Sequence, residues 1–420
     1  MQHINRERLW SSLMQMAEVG ATAKGGVCRL ALSAADGKGR DLFSRWCREA
    51  GLQVEVDGIG NLFARRTGDE PGHPPVMVGS HLDTQPTGGR FDGAYGVLAA
   101  LEVVRTLNDL GARTRKPIEV VSWTNEEGSR FAPAMLGSAV FTGNISLEQA
   151  MTPVDAGGIS VGAALDSIGY RGSRAVRGIP VDTYFEAHIE QGPVLEKNQK
   201  AIGIVTGGQA IRWFDVKVLG QGGHAGTVPI EFRHDALVAA AEMIQKLERI
   251  AAGFAPPGVI TVGQIAIPGS SRNTIPAEVS FTLDLRHFQD PAVDAIEQTI
   301  RVELEAIARR RGVRAEIVVI WNSPVTPFDR DCVAAVAQAA AALSYPRQEI
   351  VSGAGHDAIH MARYCPTAMV FIPCVGGLSH NEAEMALPEH AAQGADVLFH
   401  AVLARAGAEM KSHHRGQPGT

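Results

Sequence analysis

Residues 75–107, PVMVGSHLDTQPTGGRFDGAYGVLAALEVVRTL, contain in succession an apolar run, a polar cluster and a helix-length apolar pattern. Pro75 to Gly79 has the length of a buried strand, and Gly93 to Leu107 has the length and periodicity of a helix. A second strand-length run, Ile118 to Thr124, follows that helix. Strand, helix and strand in this order are typical of a βαβ unit. We therefore expect an α/β fold with a mainly parallel sheet flanked by helices.

Polar clusters follow both strands of this unit directly. SHLDT (residues 80–84) comes after the first strand, and NEEGSR (residues 125–130) comes after the second. Open α/β sheets bind their ligands at the carboxyl ends of parallel strands. The sequence therefore places a candidate site at this edge of the sheet.

The pattern changes after Gly207 and Gly208. Arg212 to Leu219 and Val279 to Arg286 alternate apolar and polar residues, which is typical of antiparallel strands with one exposed face. The same stretch holds two helical patterns and a further strand, at about residues 235–252, 291–311 and 313–320. These elements predict an α+β domain.

The α/β alternation resumes after this stretch, with a helix, a strand and a helix at residues 331–343, 367–373 and 389–406. We therefore expect residues 211–325 to be inserted into an α/β domain formed by residues 1–210 and 326–420. Residues 407–420 are polar, contain glycine and proline, and are expected to fray.

The composition excludes several classes of protein. With 45% hydrophobic and 20% charged residues in 420, the chain is neither disordered nor fibrous. A net charge of −6 without a long basic run argues against a nucleic-acid partner. The five cysteines never form C-x-x-C, so we expect reduced thiols. Without a signal-peptide pattern or an apolar run of about 18 residues, the chain is expected to be cytoplasmic and independent of membranes.

Imidazoles and carboxylates are concentrated in five segments: 79–84, 89–93, 125–128, 188–192 and 378–382. Neutral imidazoles and hard carboxylates suit a divalent ion, and one carboxylate can bridge two ions about 3.5 to 4 Å apart. A single histidine is more often an ordinary polar residue. The adjacent Glu126 and Glu127, however, repel each other at a strand end unless a cation or a proton intervenes.

The motifs around these segments are GSHLDTQPTGGRFDGAYGV, TNEEGSRF, HIEQGPVLE, GGHAGTVP, RNTIPAEVSFTLDLRH, SGAGHDA and GLSHNEAE. In order and spacing they resemble the dinuclear metallohydrolase family of aminoacylases and co-catalytic zinc carboxypeptidases. Over residues 20–405 the resemblance is greatest to the branch of N-carbamoyl-L-amino-acid hydrolases, β-ureidopropionases and allantoate amidohydrolases. No ligand of the family pattern is missing from the sequence.

The resemblance implies two divalent ions per subunit, with Zn, Mn, Co and Ni all open. It assigns His81 and His188 to one ion, Glu127 and His380 to the other, and Asp92 as the bridge between them.

Two further carboxylates receive catalytic roles from the resemblance. Asp83 orients the His81 imidazole, with a strand-end cap as the alternative. Glu126 is the general base, although exchanged roles for Glu126 and Glu127, or ligation by both, stay open.

The resemblance also suggests residues for the substrate. Arg286 presents a guanidinium that suits an α-carboxylate, with a surface salt bridge as the alternative. Asn273 is expected to hydrogen-bond the same carboxylate or the ureido group. Gln191 is expected to hold a carbamoyl amide, and His356, next to Asp357, to line the pocket unless that loop is purely structural. His224 lies in a glycine-rich loop without phosphate-binding spacing and is expected to stabilise an oxyanion across a subunit interface.

The activity implied is hydrolysis of the carbamoyl C–N bond of an N-carbamoyl-L-amino acid, or of N-carbamoyl-β-alanine, to amino acid, ammonia and carbon dioxide. Allantoate hydrolysis is the nearest alternative, because it differs only in the lining of the pocket. An aminoacylase or peptidase is disfavoured by Gln191, and a non-catalytic binding protein by the complete ligand set. A homodimer through the inserted lid domain is expected.

Overall fold

A computed structural model describes residues 1–254 and 258–409 of the chain. Two compact units are present. The first comprises Met1–Gly207 and Pro327–Thr420, and the second comprises Gly208–Thr326. The inserted domain expected at residues 211–325 falls within the second unit, whereas the roles expected for the two domains stay predictions.

The helices among the described residues are, in chain order, α1 (Arg6–Ala17), α2 (Ala34–Glu49), α3 (Ala94–Asp109), α4 (Leu136–Phe141), α5 (Leu147–Ala150), α6 (Val161–Ser167), α7 (Val194–Lys197), α8 (Ala236–Ala252), α9 (Asp290–Arg311), α10 (Arg330–Ala342), α11 (Asp357–Met361) and α12 (Pro388–Ala406). None of the helices within residues 1–254 and 258–409 combines the length and apolar composition needed to cross a bilayer.

The strands of the first unit are β1 (Gln53–Val56), β2 (Leu62–Arg66), β3 (Val76–His81), β4 (Arg113–Thr114), β5 (Ile118–Trp123), β6 (Thr183–Ile189), β7 (Ile202–Gly208), β15 (Thr326–Pro327), β16 (Arg347–Ser352), β17 (Thr367–Ile372) and β18 (Ala408–Glu409), of which β7 and β15 run to the unit boundary. The strands of the second unit are β8 (Ala210–Leu219), β9 (Gly223–His224), β10 (Val259–Thr261), β11 (Ile265–Ala266), β12 (Thr274–Ile275), β13 (Glu278–His287) and β14 (Arg314–Ser323).

The large sheet has the strand order β1-β2-β5-β3-β6-β17-β7-β15, with β16 paired to β7. Its centre is parallel, because β3 pairs with β5 and β6, and β6 pairs with β17. Antiparallel pairs of β2 with β5 and of β7 with β17 lie on either side of this centre. The prediction of an α/β fold with a mainly parallel sheet is confirmed.

The parallel strands bring the polar clusters to one edge of the sheet. β3 ends at His81, which lies opposite Trp123, the last residue of β5. His188 is the penultimate residue of β6. The connecting helix α3 is mostly buried, is apolar over most of its length and packs on β3, so this unit is held in the core.

The second unit is built on an antiparallel sheet with the order β10-β13-β8-β14, to which β11 adds beside β13. Alternation along β13 buries Val279, Phe281, Leu283 and Leu285 against helices α8 and α9. The other face of β13 is partly exposed. This agrees with the predicted antiparallel α+β domain.

The start of the C-terminal segment differs from the expectation of fraying. β18 (Ala408–Glu409) pairs with β4 (Arg113–Thr114), so the chain is held for two residues beyond Gly407. Backbone pairing satisfies polar groups irrespective of side chain, and composition therefore did not reveal it. The rest of the predicted frayed segment, residues 410–420, lies outside the described residues.

Candidate metal centre

The side chains of His81, Asp92 and His188 converge in the interior of the first unit. One oxygen of Asp92, Oδ1, lies 3.6 Å from Nε2 of His81 and 3.2 Å from Nε2 of His188. All three residues are buried. Each offers one ligand atom to a set that spans no more than 4.8 Å, which suits a single ion.

The other ring nitrogen of each histidine is tied to the main chain. Nδ1 of His81 lies 2.9 Å from the carbonyl oxygen of Asp83, and Nδ1 of His188 lies 2.9 Å from that of Ile189. A carbonyl only accepts, so Nδ1 carries the hydrogen and donates it, and the lone pair of Nε2 faces Asp92. This is the tautomer that a metal ligand needs.

A second set consists of Asp92, Glu127 and His380. The other oxygen of Asp92, Oδ2, lies 3.4 Å from Nε2 of His380, and Oε2 of Glu127 lies 3.5 Å from the same nitrogen. His380 is half-exposed and has a left-handed backbone with φ of 52°. Asp92 thus presents one oxygen to each set.

Asp83 contacts the cluster through both its main chain and its side chain. The carbonyl oxygen of Asp83 accepts from His81, whereas the nearest carboxylate oxygen is 3.9 Å from the same Nδ1. The carboxylate instead accepts hydrogen bonds from the main-chain amides of Glu126 and Glu127, each 3.2 Å long. Asp83 therefore contacts the His81 imidazole through its main chain, because its side chain reaches the loop after β5.

Glu126 lies beside the first set, whereas Glu127 is a member of the second. Oε2 of Glu126 lies 3.5 Å from Nε2 of His81. Burial, the charge of Asp357 and the charge of Glu127 raise the pKa of Glu126 well above its ordinary value. The carboxylate of Glu127 accepts hydrogen bonds from the main-chain and side-chain nitrogens of Gln85, at 3.0 and 2.7 Å.

Gly93 allows the loop that carries Asp92 to approach His81 closely. Its φ of 63° lies in the left-handed region, and a Cβ atom at this position would overlap the His81 ring. Only glycine fits between Asp92 and helix α3.

Gln191 and His356 also lie at the cluster. Nε2 of Gln191 donates to Oδ2 of Asp92 at 3.0 Å, and its Oε1 is buried without a hydrogen-bond partner among the described residues. The His356 ring is buried 4.5 Å from the His188 ring, between centroids, and its Nε2 also has no partner in the described part of the chain. Glu186, His188 and His356 form a third set of possible ligands, which shares His188 with the first.

The remaining predicted residues, His224, Asn273 and Arg286, belong to the second unit. His224 on β9 pairs with Thr274 on β12, and the amide of Ala225 donates to the carbonyl of Asn273. Two of the three are therefore neighbours. The guanidinium of Arg286 contacts the Asp284 carboxylate, two residues earlier on the same strand, at 2.7 Å.

Sequence reasoning missed three residues at the cluster: Gln85, Ser379 and Glu384. Gln85 directly follows the SHLDT motif. Ser379 directly precedes His380, and Glu384 follows it by four residues. Their positions within quoted motifs were the available signal, but nothing in residue type distinguished Glu384 from Glu382.

The donor atoms of these residues fit divalent cations. Nitrogen and oxygen donors converge on Asp92, whose two oxygens face different sets. Burial, with Asp92 and Asp83 nearby, raises the pKa of Glu127 well above its ordinary value. Burial opposes protonation of His188, but Asp92 outweighs this effect and raises its pKa to about 9, so a proton and a cation are alternative partners for Nε2 of His188. The cluster therefore favours positive charge.

Residues 77–404 match the family described as peptidase family M20/M25/M40. The chain belongs to this family. The match confirms the resemblance found in the sequence and identifies the chain as a member of a family of metal-dependent hydrolases.

Relatives in the M20 family extend the comparison. An N-carbamoyl-L-amino-acid amidohydrolase from Rhizobium meliloti is 47% identical over 400 residues, covering 95% of this chain and 96% of the relative. An allantoate amidohydrolase from Bacillus subtilis is 33% identical over 371 residues, covering 88% and 90%. The crystal structure of a hydantoinase/carbamoylase family amidase from Burkholderia ambifaria is 60% identical, with a TM-score of 0.91 over 97% of this chain and 99% of that one. The predicted branch is therefore confirmed, and its named members hydrolyse C–N bonds other than peptide bonds.

Proposed function

We propose that this M20 protein hydrolyses the carbamoyl C–N bond of N-carbamoyl-L-amino acids, giving amino acid, ammonia and carbon dioxide. The division of the Asp92 oxygens between two ligand sets carries the proposal. The name of the Rhizobium meliloti relative supports the choice of substrate.

Two divalent cations are part of the proposal. His81, His188 and Asp92 would hold one, and Asp92, Glu127 and His380 would hold the other. When bound, such ions acidify a water molecule and polarise the carbonyl of the substrate. Zn, Mn, Co and Ni all suit these nitrogen and oxygen ligands.

Glu126 moves the proton in this mechanism. It lies beside His81 but belongs to neither ligand set, which leaves its carboxylate available to the attacking water. Glu126 accepts a proton from that water as the new C–O bond forms. It then gives this proton to the nitrogen of the amino acid as the bond between that nitrogen and the carbamoyl carbon breaks. One water is consumed, and the resulting carbamic acid dissociates.

Gln191 and His356 are proposed to bind the carbamoyl group. Each has a buried polar atom without a partner in the described residues, Oε1 of Gln191 and Nε2 of His356. A ureido group offers donors and acceptors to both.

His224, Asn273 and Arg286 are proposed to complete substrate binding. A guanidinium binds a carboxylate through two parallel hydrogen bonds, so Arg286 recognises the α-carboxylate, with Asn273 beside it. His224 stabilises the oxyanion of a partner subunit's site.

The dimer is proposed to form through the second unit. Strand β14 lies at the edge of its sheet and exposes Val318, Ile320 and Trp321. An apolar edge strand is suited to pairing with a second copy of itself. Location in the cytoplasm remains part of the same proposal.

A substrate comparison tests the function. The metal-reconstituted protein should cleave N-carbamoyl-L-amino acids with higher kcat/KM than N-carbamoyl-β-alanine, allantoate or N-acetyl-L-amino acids. Allantoate is the second candidate because of the Bacillus subtilis relative, and preference for it would replace the first proposal. Preference for the N-acetyl compounds would instead indicate an aminoacylase.

A further inference from the structure

Glu384 is a buried carboxylate in the segment between His380 and helix α12, and only 3% of its surface is exposed. Its Oε1 accepts hydrogen bonds from the main-chain amides of Phe91 and Asp92, at 3.0 and 3.1 Å. Its Oε2 accepts one from the hydroxyl of Ser379, at 2.9 Å. Glu384 therefore connects the loop that carries the bridging carboxylate with the residue before His380.

Ser379 closes this connection on the other side. Its Oγ lies 3.1 Å from Oδ2 of Asp92, the oxygen that faces the second ligand set. The main chain of Asp92 is thus held by Glu384. The single hydroxyl hydrogen of Ser379 lies between the Glu384 and Asp92 carboxylates and donates to one of them at a time. A shift of either segment would change the separation between Asp92 and His380.

The surroundings of Glu384 are shaped to receive this side chain. A Cβ atom at residue 89 would overlap the Glu384 carboxylate, so a glycine there makes room for it. Burial and the nearby charge of Asp92 raise the pKa of Glu384 to about 7. A carboxylate placed beside another in the interior is costly in itself, and bound cations would offset that cost.

We propose that Glu384, acting with Ser379, is a positioning residue that holds Asp92 and His380 at the separation required by the second cation. The inference rests on the proposed two-cation function. Removal of a residue that hydrogen-bonds a metal ligand typically weakens metal binding by about 10- to 100-fold.

The test compares three variants with a matched control. Glu384→Ala removes the whole connection, and Glu384→Gln keeps an oxygen for the two amides. Ser379→Ala removes the hydroxyl that contacts both Glu384 and Asp92 but leaves the bonds from the two amides to Glu384 in place. The control is Glu382→Gln, which alters a glutamate two residues away that faces Lys24 at 3.6 Å. Cobalt(II) titration followed by absorbance and calorimetry gives the affinity of each ion, and kcat and KM are measured separately.

We expect Glu384→Ala to weaken the second ion by about 10- to 100-fold, with kcat falling more than KM rises. Glu384→Gln should recover part of that loss, and Ser379→Ala should weaken the second ion while sparing the first. Glu382→Gln should match the unmodified protein. Should Glu384→Ala not fold, the Gln and Ser379 variants decide the matter alone.

Wild-type affinity for both ions in Glu384→Gln and Ser379→Ala would overturn the inference while leaving the proposed function intact. Failure of the unmodified protein to bind two ions would instead remove the proposed function. An equal loss of both ions in Ser379→Ala would also overturn the specific role at the second ion.

Discussion

Gln85 binds both carboxylate oxygens of Glu127, one through its main-chain nitrogen at 3.0 Å and the other through its side-chain amide at 2.7 Å. The orientation of Glu127 toward His380 is therefore set by a residue that follows a different strand. This contact leaves one lone pair or more on each oxygen for a cation.

Gln85→Ala removes the side-chain hydrogen bond but retains the main-chain one. We expect the second ion to bind about 10-fold more weakly, because Glu127 gains rotational freedom. Metal content at fixed free metal concentration measures this effect. Gln199→Ala, an exposed glutamine with no hydrogen bond to the cluster, is the control, and an equal change in both variants would contradict the role of Gln85.

Glu126 and Glu127 should fail in different ways when each is changed to glutamine. Glu126→Gln should retain both ions and lower kcat by about 10² to 10⁴, the usual contribution of a positioned general base. Glu127→Gln should lose metal first, because it removes a charged ligand. The metal-to-protein ratio and the single-turnover rate of both variants distinguish the roles, and the opposite outcome would make Glu127 the base.

Asp92→Ala should lose both ions, whereas His380→Ala should lose only one. The reason is that Asp92 has an oxygen in each ligand set, but His380 belongs only to the second. Elemental analysis after dialysis gives the ratios, and removal of metal by a chelator should abolish turnover of the unmodified protein. Two ions per chain in Asp92→Ala would refute the bridge.

Gly93→Ala should disturb the first ion, because the added methyl group overlaps the His81 ring. Gly111→Ala is the matched control, since Gly111 has a similar φ of 57° and open space around it. We expect the control to lose only about 1 kcal/mol of stability from left-handed strain. Thermal unfolding and metal content together separate strain from overlap, and unchanged metal in Gly93→Ala would refute the steric argument.

His224 should act across the dimer. Glu126→Gln and His224→Ala proteins, each inactive alone, should regain about a quarter of full activity after random subunit exchange, because half the dimers then contain one intact site. Each variant mixed with itself is the control. No recovery despite exchange shown by mass spectrometry would place His224 in its own subunit's site or outside catalysis.

The strands and helices were predictable wherever hydrophobic periodicity determines them. The βαβ unit and the alternating strand β13 follow from apolar spacing alone, and β3 and α3 lie within two residues of their predicted limits. The antiparallel edges of the large sheet did not follow, because strand direction depends on pairing between distant segments.

The chemistry of the candidate site was predictable as a set of residue types, but not as a set of contacts. Asp83 could equally reach His81 through its carboxylate or its carbonyl, and the turn after β3 decides between them. Glu382 and Glu384 lie in one motif and have the same type of side chain. In the folded chain, however, Glu384 is buried and Glu382 is only half-buried. Such distinctions depend on the tertiary structure and leave no trace in local sequence.

Strands β7 and β15, where the chain leaves and re-enters the first unit, are neighbours in the large sheet, and the amide of Phe328 donates to the carbonyl of Thr206 at 2.9 Å. The second unit therefore occupies the place of a connection between two neighbouring strands. In evolutionary terms, a whole module could be acquired, exchanged or lost at this point without changing the strand order of its host. A short turn from Gly207 to Pro327 would retain every proposed cation ligand. Evolution could therefore change the inserted module without changing the proposed metal ligands.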